Sequence, residues 1–264
     1  MAGVQPKKHL GQHFLTDERT ARRIVDAFPH TECSNILEIG PGTGVLTKYL
    51  KELAGVNLWA MDVDEESVTY LEATYPSLSG KILLADFLRY PVDKLFPSKI
   101  FGIIGNFPYN ISSQIFFQIL ANRDRIPMVV GMIQKEVADR ICEGEGSKTY
   151  GILSVLLQTF YEVRYLFTVK PGVFLPPPKV KSAVIRLERN HRESLPCNEA
   201  FFFRVVKMAF NQRRKTLRNA LKSILLPLKP DWDELGLRAE QMSVEQFIAL
   251  VCKIEEALNE MSNE

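Results

Sequence analysis

Asn35-Ile36-Leu37-Glu38-Ile39 runs directly into Gly40-Pro41-Gly42-Thr43-Gly44. The first five residues are the pattern of a short buried strand, nearly continuous in apolar side chains. Three glycines at alternate positions follow at once. Such a turn lets a ligand come close to the backbone and presents the free amides of a helix start. A dinucleotide fingerprint, GxGxxG, would need glycine at position 45, where Val45 stands. The spacing is ExGxGxG instead.

Working outward, short apolar runs alternate with helix-like segments. Val56 to Met61, Lys81 to Ala85, Ile100 to Ile104 and Met128 to Ile133 read as further strands. Helices are expected over Thr43 to Leu53, Glu65 to Thr74, Ser112 to Ala121, Gln134 to Ile141 and Gly151 to Phe160. This alternation predicts an α/β fold, a mostly parallel Rossmann-like sheet with helices on both faces. Tyr161 to Val169 and Ser182 to Leu187 read as late strands, joined by PGVFLPPPKVK. Three consecutive prolines exclude a helix interior or a central strand, so that segment is an extended loop. Alternation stops near Arg189. Beyond it only helices are expected, at Glu199 to Phe210, Arg213 to Ile224 and Val244 to Asn259. The predicted division is 1–188 for the sheet domain and 189–264 for a small all-helical domain.

The 264 residues are 46% hydrophobic and 24% charged, ordinary globular usage that excludes a disordered chain, a collagen-like repeat and a coiled coil. No apolar run approaches the ~20 residues of a membrane span. The start of the chain lacks a signal-peptide core. Cys33, Cys142, Cys197 and Cys252 are scattered, which fits a reducing cytoplasm and neither a zinc site nor a disulfide framework. No carboxylate–histidine cluster suggests a metal. Net charge is only +2, but the positive charge comes in blocks. Arg204 to Lys222 holds seven basic residues and no acid, and Arg164 to Arg192 holds seven against Glu188 alone. Such blocks point to a polyanion-binding face.

Two stretches carry chemistry. Asp62, at the end of the second strand, is placed to accept hydrogen bonds from ribose hydroxyls. Asp86, after the third, is placed to receive an adenine amino group. Together with ExGxGxG they resemble the S-adenosylmethionine (AdoMet) methyltransferases; the plainer alternative is a structural turn with ordinary strand-end carboxylates. At the fourth strand end stands Gly105-Asn106-Phe107-Pro108-Tyr109. The lone pair of an adenine N6 group is delocalised into its ring, so the group is a poor nucleophile. An amide oxygen from Asn106 and a carbonyl aimed by the Pro108 turn would accept its two N–H groups and favour attack. Tyr109 offers a ring for stacking. The stretch Asn106 to Tyr109 resembles the (Asn/Asp)-x-Pro-Tyr motif of amino-methyltransferases.

Four further segments, LGQHFL (10–15), NFPYNISSQIF (106–116), FLPPPKVKSAVIRL (174–187) and FNQRRKTLRNAL (210–221), resemble the KsgA (RsmA) family of small-subunit ribosomal RNA adenine N6,N6-dimethyltransferases. The resemblance spans nearly the whole chain. It implies AdoMet as cofactor, held by His13, Leu15, Gly40, Asp62, Asp86 and Asn106. It implies Asn106, Pro108 and Tyr109 at the reacting base, with Phe174 either the second face of a base sandwich or a packing residue under the prolines. The implied substrate is a pair of adjacent adenosines in a hairpin loop near the 3′ end of small-subunit RNA, and the implied setting a monomer on immature subunits. His13, Asp62 and Phe107 stand where many relatives carry Asn, Glu and Leu. Arg213, Arg214, Lys215, Arg218 and Lys222, expected on one helix, are either an RNA-binding stripe or a solvated, domain-bracing surface. Rival readings are an Erm-type large-subunit RNA methyltransferase, a DNA adenine methyltransferase, and an assembly factor with vestigial catalysis.

Overall fold

The computed structural model describes residues 4–97 and 99–263. Its elements are, in order, β1 (Phe14–Leu15), α1 (Glu18–Asp26), β2 (Asn35–Ile39), α2 (Thr47–Leu50), β3 (Asn57–Asp62), α3 (Glu65–Thr74), β4 (Ile82–Leu84), β5 (Gly102–Asn106), α4 (Ser112–Ala121), β6 (Met128–Gln134), α5 (Lys135–Cys142), α6 (Ile152–Phe160), β7 (Tyr161–Val169), β8 (Phe174–Leu175), β9 (Ser182–Arg189), α7 (Glu199–Asn211), α8 (Leu217–Ala220), α9 (Lys222–Leu225) and α10 (Val244–Asn263).

Seven strands form one sheet in the order β4-β3-β2-β5-β6-β9-β7, and β1 pairs with β8 in a separate two-stranded ribbon. β4, β3, β2, β5 and β6 run parallel to one another, and β9 runs antiparallel to β6. The chain steps outward from β2 to β3 and β4, then returns to lay β5 on the other side of β2. The gap between the ends of β2 and β5 is therefore the topological switch point, where open α/β sheets bind ligands. β2 and β5 are almost wholly buried, as central parallel strands must be.

Local chemistry sets the helix starts. Asp17 accepts the Thr20 N–H at 2.7 Å and caps α1, whose buried Thr20, Ala21, Ile24 and Val25 form one face. Asp64 caps α3 through Glu66 N–H, and Asn198 caps α7 through Phe201 N–H. The regular part of α2 is shorter than the segment expected after the glycine turn. Bonds to residues three and four back mix there, as in Tyr49 N–H to Leu46 O and Leu50 N–H to Leu46 O.

Two compact units divide the chain, one of residues up to 138 with 162–189, the other of 139–161 with residues from 190 onward. The break at 189–190 lies next to the expected boundary. Segment 139–161 does not belong with the sheet unit, as 1–188 had required. The reason is α6: Leu153, Val155, Leu156, Leu157 and Phe160 are all buried, so the helix is apolar around most of its circumference and needs cover on several sides. Helices supply that cover within the second unit, where Phe160 stacks on Phe203 at 6.4 Å and Tyr150 meets Phe210 edge-on at 6.0 Å.

The expected helix Arg213 to Ile224 is a turn followed by two short helices, α8 and α9. Thr216 is extended, at φ −64° and ψ 156°, and bridges to Arg238. Leu217 N–H donates to Leu237 O at 2.7 Å. The amide that would have continued the helix is drawn to a distant strand-like segment, a tertiary contact overriding local propensity. Arg214, Arg218 and Lys222 therefore do not share a face of one helix.

Candidate active site at the switch point

The glycine turn takes the shape its sequence demands. Gly40, Gly42 and Gly44 have φ of +66°, +54° and +79°, a region costly for any residue with a Cβ. Space is restricted as well. A Cβ on Gly42 would lie 2.8 Å from the Phe14 ring, and one on Gly44 would lie 2.7 Å from Tyr75. Gly40 faces Asn106 O and the Pro108 ring, so the turn after β2 and the end of β5 close on each other.

A cleft opens between them. Leu10, Gly11, Gln12, His13 and Phe14 form one wall; Gly40, Gly42, Asp62 and Val63 form another; Asn106, Phe107, Pro108 and Tyr109 complete it. A second cleft shares Gly11, Gln12, His13 and Tyr109 and continues over Lys8, Gln134, the three prolines 176–178 and Lys179.

Asn106 is the most informative residue in the first cleft. Its Nδ2 donates to His13 O at 2.8 Å. A carbonyl only accepts, so this contact settles which way the amide points. Asn106 Oδ1 is thereby left buried, facing no donor among the described residues. An orphaned acceptor of this kind costs about 1–3 kcal/mol of desolvation. A donor brought into the cleft would satisfy it. Tyr109 is held by its hydroxyl against Ser182 Oγ, and burial raises the pKa of its phenol. Its ring lies 5.3 Å from that of His13, tilted by 30°. His13 Nδ1 is 2.7 Å from Pro176 O, so Nδ1 carries the proton. The Phe107 ring is fully buried against Gly131, which has no room for a Cβ, and lies edge-on to Phe116 at 5.9 Å.

The acids differ sharply. Asp62 accepts from Gly42 N–H at 3.2 Å and Asp64 N–H at 3.0 Å. Burial still pushes its pKa up, with the backbone donors opposing. Glu38 lies beneath the turn and accepts from Thr47 Oγ1 at 2.6 Å. Full burial lifts its pKa to about 8, and the nearby Asp62 adds to the rise.

Of the residues expected at the cofactor, His13, Gly40, Asp62 and Asn106 line the first cleft. Asp86 does not. Its carboxylate accepts Leu88 N–H at 2.9 Å and stands 3.6 Å from Arg89 Nε. The Leu15 side chain is buried in the core beneath the cleft. Phe174 pairs with Leu15 across the β1–β8 ribbon and is only 4% exposed, its side chain in the core rather than among the residues lining either cleft. Among the five basic residues, Arg213 is tethered to Ser147 O at 3.2 Å and stands 3.7 Å from Glu240, while Arg218 donates to Pro230 O at 2.7 Å. Arg214, Lys215 and Lys222 are exposed and form no ion pair or side-chain hydrogen bond among the described residues. Gln12, Val63 and Ser182 belong to the site but were not singled out from sequence, although Gln12 and Ser182 lie inside the LGQHFL and FLPPPKVKS segments.

The family model for ribosomal RNA adenine dimethylase matches residues 3–259. The chain belongs to that family. It is thus a methyltransferase acting on ribosomal RNA adenine, and the donor of that chemistry is AdoMet. A relative from Flavobacterium johnsoniae, ribosomal RNA small subunit methyltransferase A, is 57% identical over 256 residues, spanning 97% of this chain and 98% of its own length. The protein of the same name from Bacteroides thetaiotaomicron is 55% identical over 261 residues, 97% of this chain and 96% of its own. The fold is shared with a dimethyladenosine transferase from Plasmodium falciparum, at a TM-score of 0.78 and 23% identity over 93% of this chain and 98% of that one.

Proposed function

We propose that this chain transfers methyl groups from AdoMet to N6 of two adjacent adenosines in a hairpin loop near the 3′ end of small-subunit RNA, giving N6,N6-dimethyladenosines. The observation that carries the reading is Asn106 Oδ1, a buried acceptor on a residue that lines the cleft, without a donor among the described residues. The names of the relatives support the small subunit as target and weigh against an Erm-type large-subunit substrate.

The glycine turn and Asp62 fit the donor: three left-handed glycines leave the backbone open to it, and Asp62 is the carboxylate at the cleft for its ribose hydroxyls. Asp86 takes the adenine amino group with the acceptor capacity its carboxylate keeps beside the Leu88 and Arg89 contacts. His13 and Leu15 hold the donor from the opposite wall, Leu15 through its backbone. When bound, AdoMet supplies an electrophilic sulfonium methyl group.

Asn106 Oδ1 accepts one N6–H of the target adenine. Phe107 O takes the other N6–H, Pro108 O being already engaged with Ile111 N–H at 3.2 Å and left with one lone pair. Both acceptors favour the pyramidal nitrogen of the transition state over the flat ground state, which is the differential binding that catalysis requires. Tyr109 stacks on the base, its ring locked by Ser182. No strong base is needed, because the N6 proton becomes acidic as nitrogen bonds carbon, and water removes it after transfer. Lys8 and Lys179 of the second cleft meet the RNA backbone, as do Arg214, Lys215 and Lys222 of the helical unit, phosphate contacts that give affinity without sequence choice. The enzyme works as a monomer on immature subunits in the cytoplasm, without a metal.

Labelled AdoMet offered with unmethylated small subunits, large subunits or duplex DNA tests the reading. Label mapped to two adjacent adenosines of small-subunit RNA is expected. Label on large subunits or DNA, or none on any substrate, would refute it.

A further inference from the structure

Asp64 belongs to none of the motifs, yet its side chain is fully buried and four donors converge on it. Glu66 N–H at 3.2 Å and Ser67 Oγ at 3.3 Å are local contacts of a helix cap. The other two come from far along the chain: Lys7 Nζ at 2.5 Å and Gln12 Nε2 at 3.0 Å. Gln12 Oε1 accepts Lys7 N–H at 2.8 Å, which closes a ring of three hydrogen bonds among the three residues. Lys7 Nζ also stands 3.3 Å from the Glu66 carboxylate. A cap needs no cation from 57 residues away, but a fully buried carboxylate does need compensation. Burial alone would raise the pKa of Asp64; the Lys7 and Gln12 contacts outweigh it and hold the group below the ordinary value.

The position of this ring gives it a purpose. Leu10 to Phe14, which it pins at Lys7 and Gln12, are one wall of the first cleft. On the other side, Asp64 N–H donates to Asp62 Oδ1 at 3.0 Å, so the anchor of the wall also orients the acid opposite it. Phe14 of the wall presses on Gly42, and Asn110 lies against Gly11, each where a Cβ would collide.

We propose that Lys7, Gln12 and Asp64 form a clasp that holds the Leu10–Phe14 wall down over the methyl donor and sets how long donor and product stay bound. This rests on the reading of the cleft as the donor site. Lys7 and Gln12 are positioning residues in this scheme; neither touches the reacting atoms.

The test is the dissociation rate of AdoMet and of S-adenosylhomocysteine from the full chain, by rapid mixing, at low and high salt. Lys7→Met should release both compounds about tenfold faster, and Lys7→Arg, which keeps the charge, should stay within about threefold of the parent. Gln12→Ala opens the ring while leaving the ion pair and should release about threefold faster. Because Lys7 is partly exposed, release from the parent should quicken with salt, and that salt dependence should vanish in Lys7→Met. In steady state, KM for AdoMet should rise by a larger factor than kcat changes. A structural role alone would move thermal stability without abolishing the salt dependence. Equal release rates and equal salt dependence in parent and Lys7→Met would overturn the clasp. A parent that binds neither compound would overturn the donor-site reading and the clasp with it. Should Lys7→Met fail to fold, Gln12→Ala and Lys7→Arg decide, since parent-like release from Gln12→Ala contradicts the ring.

Discussion

Asn106→Ala separates the role of Asn106 in catalysis from its role in folding. The substitution removes the Nδ2 bond to His13 O, a loss of about 1 kcal/mol. It also removes Oδ1, whose burial without a partner costs about 1–3 kcal/mol. These terms oppose each other, so stability should stay within about 1 kcal/mol of the parent or rise slightly. Catalysis has no such offset. An acceptor preorganised for the reacting nitrogen disappears, and methyl transfer should fall by ~10² or more, roughly 2.7 kcal/mol of activation free energy. AdoMet affinity should change by less than about tenfold. Asn106→Asp is the control. It keeps the shape but sets a carboxylate oxygen against His13 O, so it should be the less stable variant although it is the more conservative. Denaturant unfolding gives the stabilities, calorimetry the affinity, and labelled AdoMet with unmethylated small subunits the rate. Near-parent turnover by Asn106→Ala, or Asn106→Asp more stable than Asn106→Ala, would refute the reasoning.

Asp62→Ala should weaken AdoMet by about 1.5–3 kcal/mol, the worth of a charged hydrogen bond, and unchanged calorimetric affinity would dismiss the ribose assignment. Glu38 carries a folded pKa of about 8 against an ordinary 4.5; a raised acid holds its proton better when folded, so the stability it confers is full below about pH 4.5 and lost as pH rises toward 8. Glu38→Gln should flatten that part of the stability–pH curve, gaining on the parent at pH 8 in parallel denaturant titrations, and an unchanged slope would count against a proton on Glu38. Gly42→Ala combines a left-handed φ, worth about 1–2 kcal/mol, with the Phe14 collision, so both stability and AdoMet affinity should drop; parent-like values in thermal melts and calorimetry would contradict the close approach. Changing Arg214, Lys215 and Lys222 together to Ala should flatten the salt dependence of subunit binding by ~0.7 for each phosphate no longer neutralised, if the single-strand coefficient applies, and parallel plots of log affinity against log salt would show that these residues do not hold RNA.

The strands, the glycine turn and the Asn106 motif were legible in the sequence because each is decided locally. Apolar runs broken by Gly40, Gly42 and Gly44 leave few alternatives to a strand–turn–helix, and glycine adopts at no steric cost the positive φ values of the turn. The α/β order and its parallel sheet follow from alternation alone, as does the placing of Asp62 and Asn106 at carboxyl ends of parallel strands, β3 and β5, on either side of β2. What the tertiary structure decided depends on contacts between residues distant in sequence. Thr216 became a bridge to Arg238 rather than a helical residue, which dispersed the basic stripe and left Arg213 and Arg218 tethered. Segment 139–161 joined the helical unit because α6 needs cover on several sides. Phe174 in FLPPP reads equally as a stacking aromatic or a packing residue, and pairing of β8 with β1 placed it in the core. Lys7 and Asp64 lie 57 residues apart, and no spacing rule connects them; only the folded chain brings a cation to that buried carboxylate, because hydrogen-bond compensation for burial is a property of the assembled interior.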